Sequence, residues 1–265
     1  MMRRPFFALA AALAAVGAAG ADTAYLKPSA FGPRVAQTVT LEAAFSDFCC
    51  EPRYAVQSEA FRVISPDGQQ QPPDRIETFA TMTVLEHTVT QQGTTRFTTG
   101  ERLGRKGEYV FLDGRYHLVN SPDAELVHVP EGAPVLSSQT ATVSDVYLTA
   151  GAASWEAARV AVGRLAIQPV HHPSLISTGA PFTARVTLDG KPAPGHAVLV
   201  TSEAQRLRGA AGHTVQTGGD GLFSLVPDEP GVTLLMVRLQ APAPAGAATD
   251  IRSYTTSLTL DVRAE

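Results

Sequence analysis

Period-two alternation of apolar and polar residues runs through much of the chain. "QTVTLEAAF" (37–45) sets Val39, Leu41 and Ala43 between polar neighbours. "FTARVTLDG" (182–190) does the same with Phe182, Ala184, Val186 and Leu188, and "SLTLDV" (257–262) with Leu258, Leu260 and Val262. Successive side chains of a strand point to opposite faces, so each stretch predicts an antiparallel strand with one face buried and one wet. Turn signals fall between the runs: "SPDG" (65–68), "LDG" (112–114), "SPDA" (121–124), "DGKPAPG" (189–195), "GGDG" (218–221) and "DEPG" (228–231). The pattern predicts an all-β chain made of two β-sandwich domains. The first spans residues 22–149. The second spans 163–265, with about seven strands, the number expected of an immunoglobulin-like sandwich. Between them, 150–162 reads as a connector holding the one helix candidate, "SWEAARVA" (154–161), with Ser154 as its cap. "QAPAPAGAATD" (240–250) offers no alternation and reads as a loop.

The first residues break the pattern. Arg3 and Arg4 precede an uncharged run from Phe6 to Gly20, and Ala19-Gly20-Ala21 follows with small side chains. This order predicts a secretory signal peptide, residues 1–21, cleaved after Ala21, and a periplasmic protein beginning at Asp22. The run is short for a bilayer, which needs about 20 apolar residues, and no later stretch is longer, so no membrane span is expected after cleavage. Removing the leader takes away two arginines and no acid, moving the net charge from −4 to −6. With no cluster of Lys and Arg to meet phosphates, nucleic-acid binding is excluded. The chain has 2 cysteines, Cys49 and Cys50, and they are adjacent. No disulfide framework spans the fold, and stability must come from the core.

Several stretches together resemble one family: "AYLKPSAF" (24–31), "FRVISPDG" (61–68), "TVLEHTV" (83–89), "GTTRFTTGERLGR" (93–105), "VYLTAGAAS" (146–154), "LAIQPVHHPSLISTGAPFTARVTLDGKPAPG" (165–195) and "TGGDGLFSLVPDEPG" (217–231). They are similar to the periplasmic NikM-like proteins, a family catalogued as a domain of unknown function and linked to nickel and cobalt uptake. The resemblance implies a secreted β-sandwich protein that binds a transition-metal ion or helps deliver one. Its partner would be a metal-uptake transporter or another envelope protein. Many members of this family begin, after processing, with a histidine just before a "YLxP"-like stretch, so that the α-amine and imidazole chelate one ion. Here the exposed residue is Asp22, followed by Thr23 and Ala24, which keeps an amine and a carboxylate but lacks the imidazole.

Other donors are candidates by position. "YHLVNSPDAELVHVP" (116–130) reads as a hairpin about Ser121–Ala124 that sets His117 opposite His128, close enough to share an ion. His172, before Pro173, matches the family's "HP" at the start of the second domain, as a ligand or as a packing residue. His87 in "LEHTV" also holds a family-like position. Cys49 and Cys50 read as buried thiols, as a soft-ion site for Cu(I) or a redox pair, or as a disulfide between neighbours. Arg96, Glu101, Arg102, Arg105 and Lys106 read as the solvated face of a hairpin. No nucleophile elbow, zinc-protease motif or phosphate loop occurs, so the chain reads as non-enzymatic. The expected function is binding or uptake of nickel or cobalt, with copper as a further candidate. The alternative is a secreted adhesion or interaction module for an envelope protein or glycan.

Overall fold

The structure, a computed structural model, describes residues 22–122, 124 and 126–265; the expected leader, 1–21, lies outside the described residues. In the first half the strands are β1 (Thr23–Pro28), β2 (Thr38–Ser46), β3 (Tyr54–Ala55), β4 (Arg62–Ile64), β5 (Gln70–Gln71), β6 (Arg75–Thr78), β7 (Thr83–Thr88), β8 (Gly93–Thr98), β9 (Arg102–Leu112), β10 (Arg115–Val119) and β11 (Val135–Ala150). A short helix, α1 (Glu156–Arg159), leads into β12 (Leu165–Pro169), β13 (Ile176–Ser177), β14 (Phe182–Leu188), β15 (Lys191–Pro192) and β16 (Ala197–Ser202). Helix α2 (Glu203–Leu207), β17 (His213–Gln216), β18 (Leu222–Leu225), β19 (Gly231–Pro242) and β20 (Ile251–Arg263) complete the chain.

These strands form three sheets. One carries β1-β2-β7-β6 with β3 beside β2, and another carries β12-β14-β15 with β18 beside β14. The third is the long one, β17-β16-β19-β20-β11-β8-β4-β5, extended by β9, β10 and β13. It crosses the middle of the chain because β11 pairs in parallel with β20, from Ser138 opposite Ile251 to Val146 opposite Thr259. The turn after β11 falls where the domain boundary is expected, yet the strand before it belongs to a sheet common to both halves.

Alternation along the shared strands explains the layering. On β11, Val146, Leu148 and Ala150 enter a core with Leu26, Leu41, Leu85 and Phe97. Its odd-numbered Ala141 and Tyr147 enter the other core, with Phe182, Val186, Phe223, Leu235 and Tyr254. On β19, Leu235, Val237 and Leu239 face that second core, while Val232 and Leu234 turn to the opposite side and meet Tyr25, Cys49 and Cys50. The all-β sandwich fold is thus two sandwiches that share their middle sheet. Each fully buried Leu or Phe in these layers contributes about 1.5–3 kcal/mol through removal of apolar surface from water.

The helices differ from expectation. The connector's helix is a single turn whose N-cap is Trp155, with no side-chain cap. Ser154 is drawn off because its hydroxyl accepts the Thr94 N–H at 3.0 Å, tying the connector to β8. Helix α2 went unanticipated, although "SEAQ" is a capping box: Ser202 Oγ accepts the Gln205 N–H at 3.1 Å, and Gln205 accepts the Ser202 N–H at 3.0 Å.

Candidate functional site

The expected histidine hairpin does not form. The turn at Ser121 is present, closed by the Ala124 N–H donating to the Ser121 carbonyl at 3.0 Å. The segment from 126 to 134 is in no strand, so no ladder follows it. Instead β10 pairs with β9, which sets His117 opposite Val110. The deciding signal was already in the sequence. Asp113 and Gly114 both adopt positive φ, 51° and 80°, the conformation that a two-residue hairpin turn requires and that Asp-Gly favours. His117 is buried within that hairpin's sheet, and His128 stands exposed on a loop.

The other two candidate histidines are committed to the fold. His172 accepts the Ser174 N–H on Nδ1 at 3.2 Å, which places its proton on Nε2, and Nε2 donates to the Ser154 carbonyl at 2.9 Å. Its ring packs edge-on against Trp155, with centroids 4.9 Å apart. Both nitrogens are therefore used, and the residue clamps the connector to the start of the second half. His87 is buried on β7 against the edge of Phe97. Its Nδ1 lies 3.0 Å from Asp74 Oδ1, and Asp74 is itself fixed by the Thr88 N–H at 2.7 Å. Gln71 caps Nε2 at 3.4 Å. A carboxylate-oriented imidazole is how many metal ligands are held, but among the described residues no group of three or more His, Cys, Asp or Glu gathers to hold an ion.

Three of the candidates, Asp22, Cys49 and Cys50, come to one end of the first sheet. β1 pairs with β2 so that Thr23 faces Ser46, which brings Asp22 to the 46–53 turn carrying Cys49 and Cys50. Arg53 bridges this end: its guanidinium pairs with Asp47 and lies 3.8 Å from the Asp22 carboxylate. Cys49 and Cys50 lie deeper, both buried.

A concave surface that the sequence did not reveal lies on the opposite side of the shared sheet. A groove of about 500 Å³ is lined by Arg96, Tyr147, Trp155, Arg159, Arg164 and Gln168, among others. Its floor is a bidentate ion pair. Arg96 donates to Asp145 Oδ1 at 2.9 Å and Oδ2 at 2.7 Å, and its remaining arm reaches the Val160 carbonyl at 2.7 Å. Arg96 was expected on a solvated face, but it is 4 % exposed, because β8 is an inner strand between β4 and β11. Burial works against its charge; Asp145 outweighs that and holds the guanidinium above its ordinary range. The neighbouring Tyr147 hydroxyl is pushed up to about 12, chiefly by burial. Arg164 pairs with Asp189 at the rim and donates to the Tyr254 hydroxyl at 2.7 Å. Arg159 and Trp155 complete the rim, the former exposed and the latter half-buried. With Arg96 and Arg164 engaged by Asp145 and Asp189, the groove presents the exposed Arg159 and the face of Trp155, which suit a hydrogen-bonded ligand that can stack.

The family model described as a domain of unknown function, DUF4198, matches residues 19–241. The chain belongs to this family. No curated protein matches it. Among solved structures, this DUF4198 chain is similar to the fibronectin(III)-like modules of Clostridium thermocellum CbhA, at 10 % identity over 90 % of this chain and 94 % of that one, with a TM-score of 0.20. The D0–D1 domain of intimin gives 10 % identity, 89 % and 97 % coverage and a TM-score of 0.21. Titin domains z1z2 give 14 % identity, 92 % and 99 % coverage and a TM-score of 0.20. At these scores the sandwich architecture rests on the sheets described above.

Proposed function

We propose that the protein is an exported, non-enzymatic accessory of transition-metal uptake in the periplasm, handling nickel or cobalt, with copper as the next candidate. Its partner is a metal-uptake transporter. The observation that carries this reading is the place of Asp22. His87 and His172 are engaged by Asp74, Ser154 and Ser174, and a separate set of donors lies at the head of β1. Leader cleavage after Ala21 frees an α-amine there, next to the carboxylates of Asp22 and Asp47, which share Arg53. Nitrogen and oxygen donors of this kind suit Ni²⁺ and Cu²⁺. The link to nickel and cobalt comes from the resemblance to NikM-like proteins.

Calorimetry on the processed protein with Ni²⁺, Co²⁺ and Cu²⁺ tests the reading. Binding at roughly micromolar Kd is expected, with at least a tenfold loss on Asp22→Ala or on adding one residue before Asp22. The absence of binding for all three ions overturns it. The second reading, an interaction module for an envelope protein or glycan, is favoured by the Arg- and Trp-lined groove. Trp155 is the single tryptophan of the chain, so its fluorescence reports on that groove directly. A metal-blind protein whose Trp155 emission shifts on adding an envelope glycan would establish the second reading over the first.

A further inference from the structure

Cys49 and Cys50 lie where the first sheet presses on the shared one. They pack against Tyr25 of β1, Ala44 of β2, and Val232 and Leu234 of β19, with Phe31, Phe48 and Met82 around them. The Cys49 thiol is 3.7 Å from the Val232 carbonyl, to which it donates. Cys50 has φ of 64°, the left-handed region that a residue with a Cβ seldom enters. The two sulfurs are 2.8 Å apart.

That separation, between two free thiols, lies between the values for the chemistries open to the pair: it shows the sulfurs in contact, and their surroundings decide the rest. A disulfide needs about 2.04 Å between sulfurs. Two sulfurs on one tetrahedral ion, each about 2.3 Å from it, stand about 3.8 Å apart. Charge separates the two cases further. A metal site requires thiolates, which here would sit in an apolar seam with Glu42 and Glu203 as the nearby carboxylates and with Lys27, the nearby cation, already paired to Glu203. The hydrogen bond that the Cys50 thiol donates to Cys49, and then burial, push the Cys50 thiol well up, against that ionisation. A disulfide is neutral and carries no such cost.

We infer that Cys49 and Cys50 are a modification site, closed in the exported protein as a disulfide between adjacent residues and sealed between the two halves. The reaction is exchange with a disulfide of an envelope oxidoreductase or of a small-molecule thiol. One cysteine thiolate attacks that disulfide, forming a mixed disulfide and expelling one thiol. The neighbouring thiolate then closes the Cys49–Cys50 bond and releases the second thiol. The external disulfide takes the two electrons, and the two protons end on its released thiols. Because both sulfurs are buried in the fold, the exchange happens before the seam closes, and the finished bond is shielded from reductant.

The test uses the full chain with its own leader, recovered from the cell envelope, and the same chain reduced, unfolded and refolded with reduced and oxidised glutathione. Thiols are alkylated in guanidinium before and after reduction, and the intact mass is measured. The expected result is no alkylation before reduction, two labels after it, and a mass lower by two hydrogens than the reduced chain. Cys49→Ser and Cys50→Ser should each show one label without reductant. Two free thiols in both preparations, a metal ion retained by the pair, or a disulfide joining two chains each overturn the inference. The refolding arm keeps it distinct from the export reading: disulfide after refolding but no envelope material sinks export alone.

Discussion

The two seams that join the halves are built from opposite materials. On one side of the shared sheet, Tyr25, Cys49, Cys50, Val232 and Leu234 meet as an apolar patch. On the other, the connector is held by polar groups: Arg96 on Asp145 and Val160, His172 on Ser154, and the Arg164 N–H on Glu101 at 2.9 Å. Apolar contact is non-directional and tolerates small slips. Bidentate and backbone hydrogen bonds are directional, and a slip leaves buried charge unpaired. The apolar seam supplies adhesion, and the polar seam fixes where the connector lies and therefore shapes the groove.

If so, the polar seam should be the less forgiving. Asp145→Ala strands the buried Arg96 charge, and chemical denaturation should show a loss of about 3–5 kcal/mol, with the Trp155 environment altered in the folded state. Leu234→Ala opens a cavity in the apolar seam and should cost about 2–3 kcal/mol by the same measurement, with Trp155 emission unchanged. A loss equal to or larger than that of Asp145→Ala would reverse the comparison. Lys27 and Glu203 form an ion pair at 2.6 Å between β1 and α2 at the rim of the apolar seam. Glu203→Gln should cost about 0.5 kcal/mol, less at high salt. Burial works to lower the Lys27 pKa, but Glu203 raises it overall. The pair's contribution is therefore complete below lysine's ordinary pKa and fades only as pH rises beyond it. The smallest effect is local. Asp250 accepts from the Ser137 hydroxyl and N–H, which holds its carboxyl below the usual range. That clip is intact above the ordinary aspartate value and is lost as pH falls through the lowered one. Amide exchange near Ser137 should accelerate there while the cores stay protected.

Much of the layering was legible, because alternation is local information. The stretches 37–45, 182–190 and 257–262 lie on β2, β14 and β20, with the expected residues inward. The sharing of a sheet was not legible, since the β11–β20 pairing joins segments 113 residues apart and leaves no mark on either one's periodicity. The His117–His128 pairing failed because two turn signals competed, and Asp-Gly at 113–114 closed the tighter hairpin. Arg96 misled for a related reason. In "GTTRFTTGERLGR" it sits in a charged run, yet β8 is buried on both faces, and the partner that makes a guanidinium tolerable there, Asp145, comes from another strand. Asp22 and the cysteine pair stand out in the sequence by their immediate neighbours, and their closeness comes from the β1–β2 register.

The parallel pairing of β11 with β20 has a consequence for the order in which the layers can form. A chain made amino end first cannot complete its middle layer until the 13-residue strand β20 is available. The core around Leu26, Leu41, Leu85 and Phe97 draws only on residues 24–150, whereas the one around Phe182, Val186 and Leu235 lacks Tyr254, Leu258 and Leu260 until then, so the first half can bury its interior while the second still waits for its last wall.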